Sequence, residues 1–252
     1  MALTDKLKAI ADAIRAKNGS TSLLKLDEMP TAIENIQSGD TSTGDVALAI
    51  LNKTITECAS DSITSVSDYA FYKQSNLAKL RIPNATTVGT SAFDQCGSVD
   101  QIDLPNCTKI GNRSFASCSK ASFLNAPLIE EVPSGGFYGL KGITTANIPL
   151  VKTLGAQAFY YSTNLEKLDF LQLTSIGILA FNQTKMTTLI IRTNSVCTLG
   201  NVSAFQNSPV AKGTGYIYVP RNLVDSYKVA TNWSTYANQI RAIEDYPEIT
   251  GG

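Results

Sequence analysis

Apolar residues recur at a fixed spacing over most of the chain. The clearest marker is phenylalanine, which stands 22 residues apart through six repeats and once more after 24 residues. The positions are Phe71, Phe93, Phe115, Phe137, Phe159, Phe181 and Phe205. Other apolar columns keep the same register, although the column of Leu165 continues at Met186 only after a one-residue slip. Apolar columns with a period of about 20 to 30 residues predict a solenoid, in which each unit buries its apolar face on the next.

Each repeat divides into a turn-forming part and a strand-forming part. The pattern Gly-x-x-Ala-Phe, as in Gly89 to Phe93, suits a tight turn and a short helical or irregular stretch. The alternation from Leu80 to Ile82 predicts a short strand whose apolar side chains point inward. In four repeats a proline follows this strand, where it ends the ladder without removing an interior hydrogen bond. Stacked coils would then place their strands in a short parallel sheet along one side.

The N-terminal segment lacks the repeat. Residues 1–37 predict two short helices, each with an apolar face. The residues of these two faces are Leu7, Ile10, Ile14, Ile33 and Ile36. Two helices of this size cannot build a core of their own. We therefore expect residues 1–37 to attach the chain to a second copy of itself or to another protein, or to fold back on the solenoid.

The other segments follow from local composition. A polar stretch at residues 38–44 indicates a flexible linker, and residues 45–65 read as a degenerate repeat that caps the first coil. The pattern from Leu223 to Ile243 predicts a helical cap at the other end, which contains the only tryptophan, Trp233. The predicted order is an attachment or oligomerisation segment (1–37), a linker (38–44), an N-terminal capping half-repeat (45–65), a solenoid of seven units (66–220), and a C-terminal cap and tail (221–252).

Composition narrows the classes of function. The 252 residues include 21 basic and 21 acidic side chains, and a formal net charge of zero argues against electrostatic binding to nucleic acid or to a membrane. The absence of histidine excludes Ser–His–Asp triads and histidine-ligated metals. The sequence has no phosphate-binding loop, no metal-ligand motif and no nucleophile with an evident base. We therefore predict that the protein is not an enzyme and uses no cofactor and no metal.

The repeat motif resembles the BspA-type leucine-rich repeats of bacterial surface and phage proteins. The resemblance covers residues 45–220 and rests on Ile-Gly-x-x-Ala-Phe followed by Leu-x-x-Ile-x-Leu-Pro, kept in register through six units. It implies an α/β leucine-rich-repeat solenoid with a short parallel β-sheet on one side. A small helical N-terminal segment and a helical C-terminal cap would flank this solenoid.

Two cysteines occupy equal positions in neighbouring repeats. Cys96 and Cys118 each follow their phenylalanine by three residues, and the spacing Phe-x-x-Cys is also typical of the BspA-type family. Residues of equal phase stack at about 4.8 Å, which falls within the Cα–Cα range of a disulfide. The pair could therefore form a disulfide, or it could remain two reduced thiols that fill a repeat position.

The opening residues are similar to the N-termini of predicted phage tail and baseplate-associated proteins. The similarity lies in residues 3–17 and in the segment from Leu26 to Pro30. It implies a virion component, made in the bacterial cytoplasm, whose residues 1–37 attach it to other virion proteins or to itself as a homo-oligomer. No secretory signal is evident, which favours the virion over the alternative of a cell-surface adhesin that lacks its leader. A structural spacer without a ligand is a further alternative.

The outward positions of the predicted sheet offer a candidate ligand site. Five polar residues precede Ile190 in the outer column nearest the prolines, and one aromatic residue lies in the column beside it. The predicted ligand-binding residues are Arg81, Asp103, Phe123, Asn125, Asn147 and Asp169. Carboxylate and amide groups next to an aromatic ring suit a glycan, and a protein on a host surface is the other expected ligand. The alternative is a solvated sheet face on which the asparagines pair with one another.

Overall fold

The structure, a computed structural model, describes residues 55–250. The predicted attachment segment (1–37), the linker (38–44) and the first ten residues of the capping half-repeat lie outside the described residues. The predicted attachment residues Leu7, Ile10, Ile14, Ile33 and Ile36 therefore lie outside them as well.

Short strands dominate the described chain, and helices are few. The strands are β1 Glu57–Ala59, β2 Ser65–Val66, β3 Lys79–Arg81, β4 Thr87–Val88, β5 Gln101–Asp103, β6 Lys109–Ile110, β7 Phe123–Asn125, β8 Glu131–Val132, β9 Thr153–Leu154, β10 Lys167–Phe170, β11 Ser175–Ile176, β12 Thr188–Ile191, β13 Thr198–Leu199, β14 Tyr216–Val219 and β15 Ile240–Ala242. The α-helices are α1 Val224–Val229 and α2 Pro247–Thr250, and 3₁₀ helices cover Val202–Phe205, Arg221–Leu223, Trp233–Gln239 and Ile243–Asp245. Within residues 55–250, every helix is too short or too polar to cross a membrane.

The longer strands form a parallel ladder along one side, as the sequence predicts. β1 pairs with β3, β5 pairs with β7, and β10, β12, β14 and β15 form one four-stranded sheet. Isolated bridges from Asn125 to Asn147 and from Thr145 to Lys167 carry the ladder through the coil between β7 and β10. The one-residue slip predicted at Met186 is also present, since Lys167 pairs with Thr188. We call the outward-pointing residues of this ladder the sheet face.

A second parallel ladder runs along another side of the coils. It contains the two-residue strands β2, β4 and β6, and then β8, β9, β11 and β13. The sequence analysis placed strands on one side only. Two residues are too few to show an alternating pattern, and each of these strands contributes only one buried aliphatic residue, such as Val88 or Ile110.

The third side is built from left-handed turns that hydrogen-bond from coil to coil. The amides of Tyr69, Phe71 and Lys73 donate to carbonyl oxygens of the next coil at 2.8 to 2.9 Å. In six coils, the residues two before and two after the phenylalanine have positive φ. One coil places Gly135 and Gly139 at these positions, where the left-handed conformation carries no Cβ penalty. We call the positions from four before to five after each phenylalanine the turn face.

The phenylalanine column forms the centre of the core. All seven rings are buried, and neighbouring rings lie 5.1 to 6.0 Å apart between centroids. Each buried ring contributes about 2 kcal/mol through removal from water, and each ring pair adds about 1 kcal/mol. The wider spacing of 24 residues before Phe205 is taken up by the 3₁₀ helix Val202–Phe205.

The C-terminal cap closes this column with aromatic side chains. Trp233 and Tyr236 lie against Phe205, with ring centroids 6.0 and 5.2 Å away. The Cys197 amide donates to the Tyr227 hydroxyl at 2.9 Å, and the Trp233 indole donates to the Cys197 carbonyl. The cap therefore satisfies buried backbone groups of the last coil and covers its open apolar end.

The cap is less helical than the sequence predicts. α1 has six residues, and the chain then turns at Asn232, whose φ is 66°. The segment Ile240–Ala242 has the buried, half-buried, buried pattern of a strand and pairs in parallel with β14. A helix through Ile243 is therefore a wrong prediction, because these residues gain backbone partners by extending the ladder.

Candidate functional site

Three of the predicted ligand-binding residues form one hydrogen-bonded row on the sheet face. Asp103 faces Asn125 across β5 and β7, and Asn125 is bridged to Asn147. Asn125 Nδ2 donates to Asp103 Oδ1 at 2.7 Å, and Asn147 Nδ2 donates to Asn125 Oδ1 at 2.7 Å. We call this row the amide ladder. Its geometry is that of asparagines paired with one another, which is the alternative that the sequence left open.

Phe123 is the aromatic side chain on this face, and 46% of its surface is exposed. It lies on β7 beside the amide ladder and pairs with Gln101 of β5. Its neighbour along the strand, Leu124, points inward and is buried. The alternation that the sequence showed therefore places the ring in solvent, as predicted, where it offers apolar surface to a partner.

The remaining two predicted site residues are engaged in ion pairs. Arg81 lies 2.8 Å from Asp61 at one end of the face. Asp169 accepts two hydrogen bonds of 2.8 Å from Arg192, an interaction that also raises the pKa of the Arg192 guanidinium. The structure therefore separates Arg81 and Asp169 from the amide ladder in function, although all five polar residues lie in one column.

The C-terminal tail covers the far end of the sheet face, which the sequence analysis missed. Ile190, predicted to be an outward residue, is fully buried, and its strand partner Tyr218 is nearly so. Tyr246 lies edge-on against Tyr218 with centroids 5.3 Å apart, and Lys167 donates to the carbonyl of Ile249 at 2.6 Å. The open part of the face therefore ends near β10. The outward-facing apolar residue Ile190 was the available signal that something covers this end.

Cys96 and Cys118 are both free thiols in this structure. Each thiol donates to a backbone carbonyl of the preceding coil, Cys96 to Phe71 at 2.9 Å and Cys118 to Phe93 at 3.2 Å. Burial raises the pKa of Cys96 to about 12 and that of Cys118 well above its usual range. The thiols are therefore held in their protonated, unreactive form, and their joining in a disulfide stays a prediction.

The turn face carries functional groups that the sequence analysis did not single out. Tyr138, Tyr160 and Tyr161 lie next to one another there, close to Lys141. Each follows its phenylalanine by one or two residues, so the repeat register contained the signal. It was missed because these positions were assigned to a turn and were not sorted into inward and outward columns.

Parallel ladders, short 22-residue coils and a continuous apolar column together define a leucine-rich-repeat solenoid. The family profile of the BspA type leucine rich repeat region matches residues 41–149 and 86–212, with six copies. These ranges span more than half of the sequence. The chain therefore belongs to the BspA-type leucine-rich repeat family.

Two solved structures are similar to the chain. A leucine-rich repeat protein from Bacteroides ovatus is 20% identical, with a TM-score of 0.45, and the match covers 67% of this chain. A leucine rich cell surface protein from Faecalibacterium prausnitzii is 15% identical, with a TM-score of 0.42 over 77% of this chain. The matches span 56% and 61% of the length of those two proteins. No curated protein matches the sequence.

The buried thiols predict a loss of stability in alkali. The pKa of Cys96 is near 12 in the fold and 9.0 in its ordinary state, so its contribution is complete below pH 9 and disappears as the pH rises towards 12. Ionisation of one such thiol on unfolding costs the fold about 1.4 kcal/mol per pH unit in this window. Urea unfolding of the wild type and of Cys96→Ser at several pH values from neutral to alkaline measures the effect.

Serine is the matched replacement, because Ser162 occupies the same position in its own coil and donates to the Phe137 carbonyl at 3.1 Å. We expect the free energy of unfolding of Cys96→Ser to fall less steeply with pH than that of the wild type. Tyrosines and lysines titrate equally in both proteins and cancel in the comparison. Equal slopes would contradict the assignment.

Proposed function

We propose that the protein is a non-enzymatic recognition module that binds a protein on a host cell surface through the sheet face. The observation that carries the proposal is the exposed ring of Phe123 in the open part of that face. Binding hot spots are commonly aromatic side chains surrounded by groups that exclude water and contribute little themselves. The amide ladder beside Phe123 has the properties of such a surround, since its hydrogen bonds are largely made within the chain.

The pairing of the amide ladder supports a protein ligand over a glycan at this face. A glycan is held by many hydrogen bonds, and the amide nitrogens of Asn125 and Asn147 already donate to their neighbours. A sugar hydroxyl would have to compete with those bonds, whereas a protein side chain packed on Phe123 leaves them intact. The flat surface also suits a partner that buries a broad area.

The setting is a phage tail or baseplate in this proposal. It rests on the similarity of residues 3–17 and of the segment from Leu26 to Pro30 to phage proteins, and residues 1–37 would attach the module to the virion or to a second copy of itself. A bacterial cell-surface adhesin with the same sheet face is the competing setting. A spacer without a ligand is the competing function.

The first prediction tests the face itself. The fluorescently labelled chain is bound to a panel of gut bacteria, and Phe123→Ser is compared with Leu128→Ser in flow cytometry. Phe123 and Leu128 are 46% and 41% exposed, but Leu128 lies outside the ladder strands. Loss of a hot spot of about 2 kcal/mol weakens binding about 30-fold for Phe123→Ser, and we expect Leu128→Ser to bind as the wild type does.

Protease treatment of the bacteria should abolish binding, while periodate oxidation of their glycans should leave it. Binding that survives Phe123→Ser would overturn the sheet face as the site. Binding that is lost with periodate alone would replace the protein ligand by a glycan, and a chain that binds no strain of the panel would favour the spacer.

The second prediction concerns attachment. We expect the full chain to form an oligomer in size-exclusion chromatography with light scattering, and a chain that starts at residue 45 to be monomeric. The apolar faces predicted in residues 1–37 need a partner, because segments of that size cannot bury them alone. A monomer in both experiments would remove self-association and leave attachment to another protein.

A further inference from the structure

The turn face has a one-sided charge. From residue 95 to residue 210 its described positions include no aspartate or glutamate, and four of them are basic. These are Arg113, Lys120, Lys141 and Lys185. Arg113 is paired with the buried carboxylate of Asp94 at 3.0 Å, which lies just before this range. The three lysines form no ion pair with any residue in the described part of the chain, so this side attracts anions although the whole chain is neutral.

Three tyrosines run along this face from coil to coil. Tyr138 and Tyr160 are stacked with centroids 5.3 Å apart, and Tyr161 lies 6.1 Å from Tyr160. Lys141 Nζ lies 4.9 Å above the Tyr161 ring, and Arg113 lies 5.4 Å from the Tyr138 ring. Cation–π contact of this kind fixes a long basic side chain in place. The tyrosines therefore hold positive charge at defined positions and add hydroxyl groups beside it.

A depression of about 570 Å³ continues this row at the C-terminal side. Its lining includes Thr163, Gln183, Lys185, Asn207 and Lys212. Gln183 Nε2 donates to the Tyr160 hydroxyl at 3.2 Å, which joins the depression to the tyrosine row. The depression occurs where the repeat is irregular, since 28 residues separate the paired positions Thr188 and Tyr216 of neighbouring strands, against 22 for Gln101 and Phe123. The longer connection brings Lys212 beside Lys185.

The two lysines of the depression are placed to receive one anionic group. Lys185 Nζ donates to the side-chain oxygen of Asn164 at 3.0 Å, and neither lysine is in an ion pair with a described residue. Amide and hydroxyl groups of Gln183, Asn207 and Thr163 surround them. Two cations within a rim of neutral hydrogen-bonding groups suit a carboxylate on a polyhydroxylated ligand.

We propose that the turn face binds an acidic oligosaccharide. One sugar carboxylate is held between Lys185 and Lys212, and further sugars lie along the tyrosine row towards Lys141. This site is separate from the sheet face and does not depend on the function proposed for that face. A single-stranded nucleic acid is the other anionic polymer that aromatic and basic residues bind. Nucleic acids need free ring faces for base stacking, whereas each of these tyrosines already contacts another ring or a cation.

The test uses the full chain on an array of carboxylated oligosaccharides that includes oligogalacturonate. The best-bound member is then titrated by calorimetry together with its methyl ester. We expect the ester to bind about tenfold more weakly or worse, because a charge-assisted hydrogen bond is lost with the carboxylate. The double variant Lys185→Gln with Lys212→Gln should show a loss of the same size.

The matched control is Lys109→Gln with Lys228→Gln, which removes the same charge from exposed positions outside the turn face. We expect this variant to bind as the wild type does. Equal losses in both double variants would reduce the effect to net charge and overturn the site. Equal affinity for the methyl ester, tighter binding of poly-uridylate than of the sugar, or an array without any bound member would each overturn the proposal as well.

Discussion

The in-register stacking of identical coils is the constraint on which the rest of the structure depends. Backbone hydrogen bonds run from coil to coil on the sheet side, on the second ladder and across the left-handed turns. Three sets of parallel bonds fix the length of a coil, so a residue of a given phase always meets its equivalent in the next coil. The buried phenylalanines therefore form one column, and any residue with the wrong size or polarity in that column would disturb two neighbours.

This constraint separates the positions that specify the fold from those that are free for function. Inward columns vary only among apolar residues and a few small polar ones, such as Ser162, which keeps the hydrogen bond that Cys96 makes. Outward columns need only tolerate solvent, and there the coils differ. The sheet face has Phe123 beside paired amides, whereas the turn face has tyrosines beside unpaired lysines. Two different ligands on two sides of one solenoid are consistent with this freedom.

The inward half of the architecture could be predicted from the sequence, because periodicity reports burial. The phenylalanine column, the strands after each turn and the outward position of Phe123 are confirmed. Periodicity reports little about what covers an outward residue. The burial of Ile190 depends on a tail some 50 residues later in the chain, and the pairing of Asn125 with Asp103 and Asn147 depends on rotamers. The second ladder was missed because strands of two residues have no period to detect.

The most direct test of the central claim compares the same deletion inside and outside the column. Phe137→Ala removes a fully buried ring from the middle of the stack, and Phe123→Ala removes an exposed ring from the sheet face. Urea unfolding should show a loss of about 3 to 5 kcal/mol for Phe137→Ala and about 0.5 kcal/mol or less for Phe123→Ala. Equal losses, or a Phe137→Ala protein as stable as the wild type, would contradict a fold held together by the stacked column.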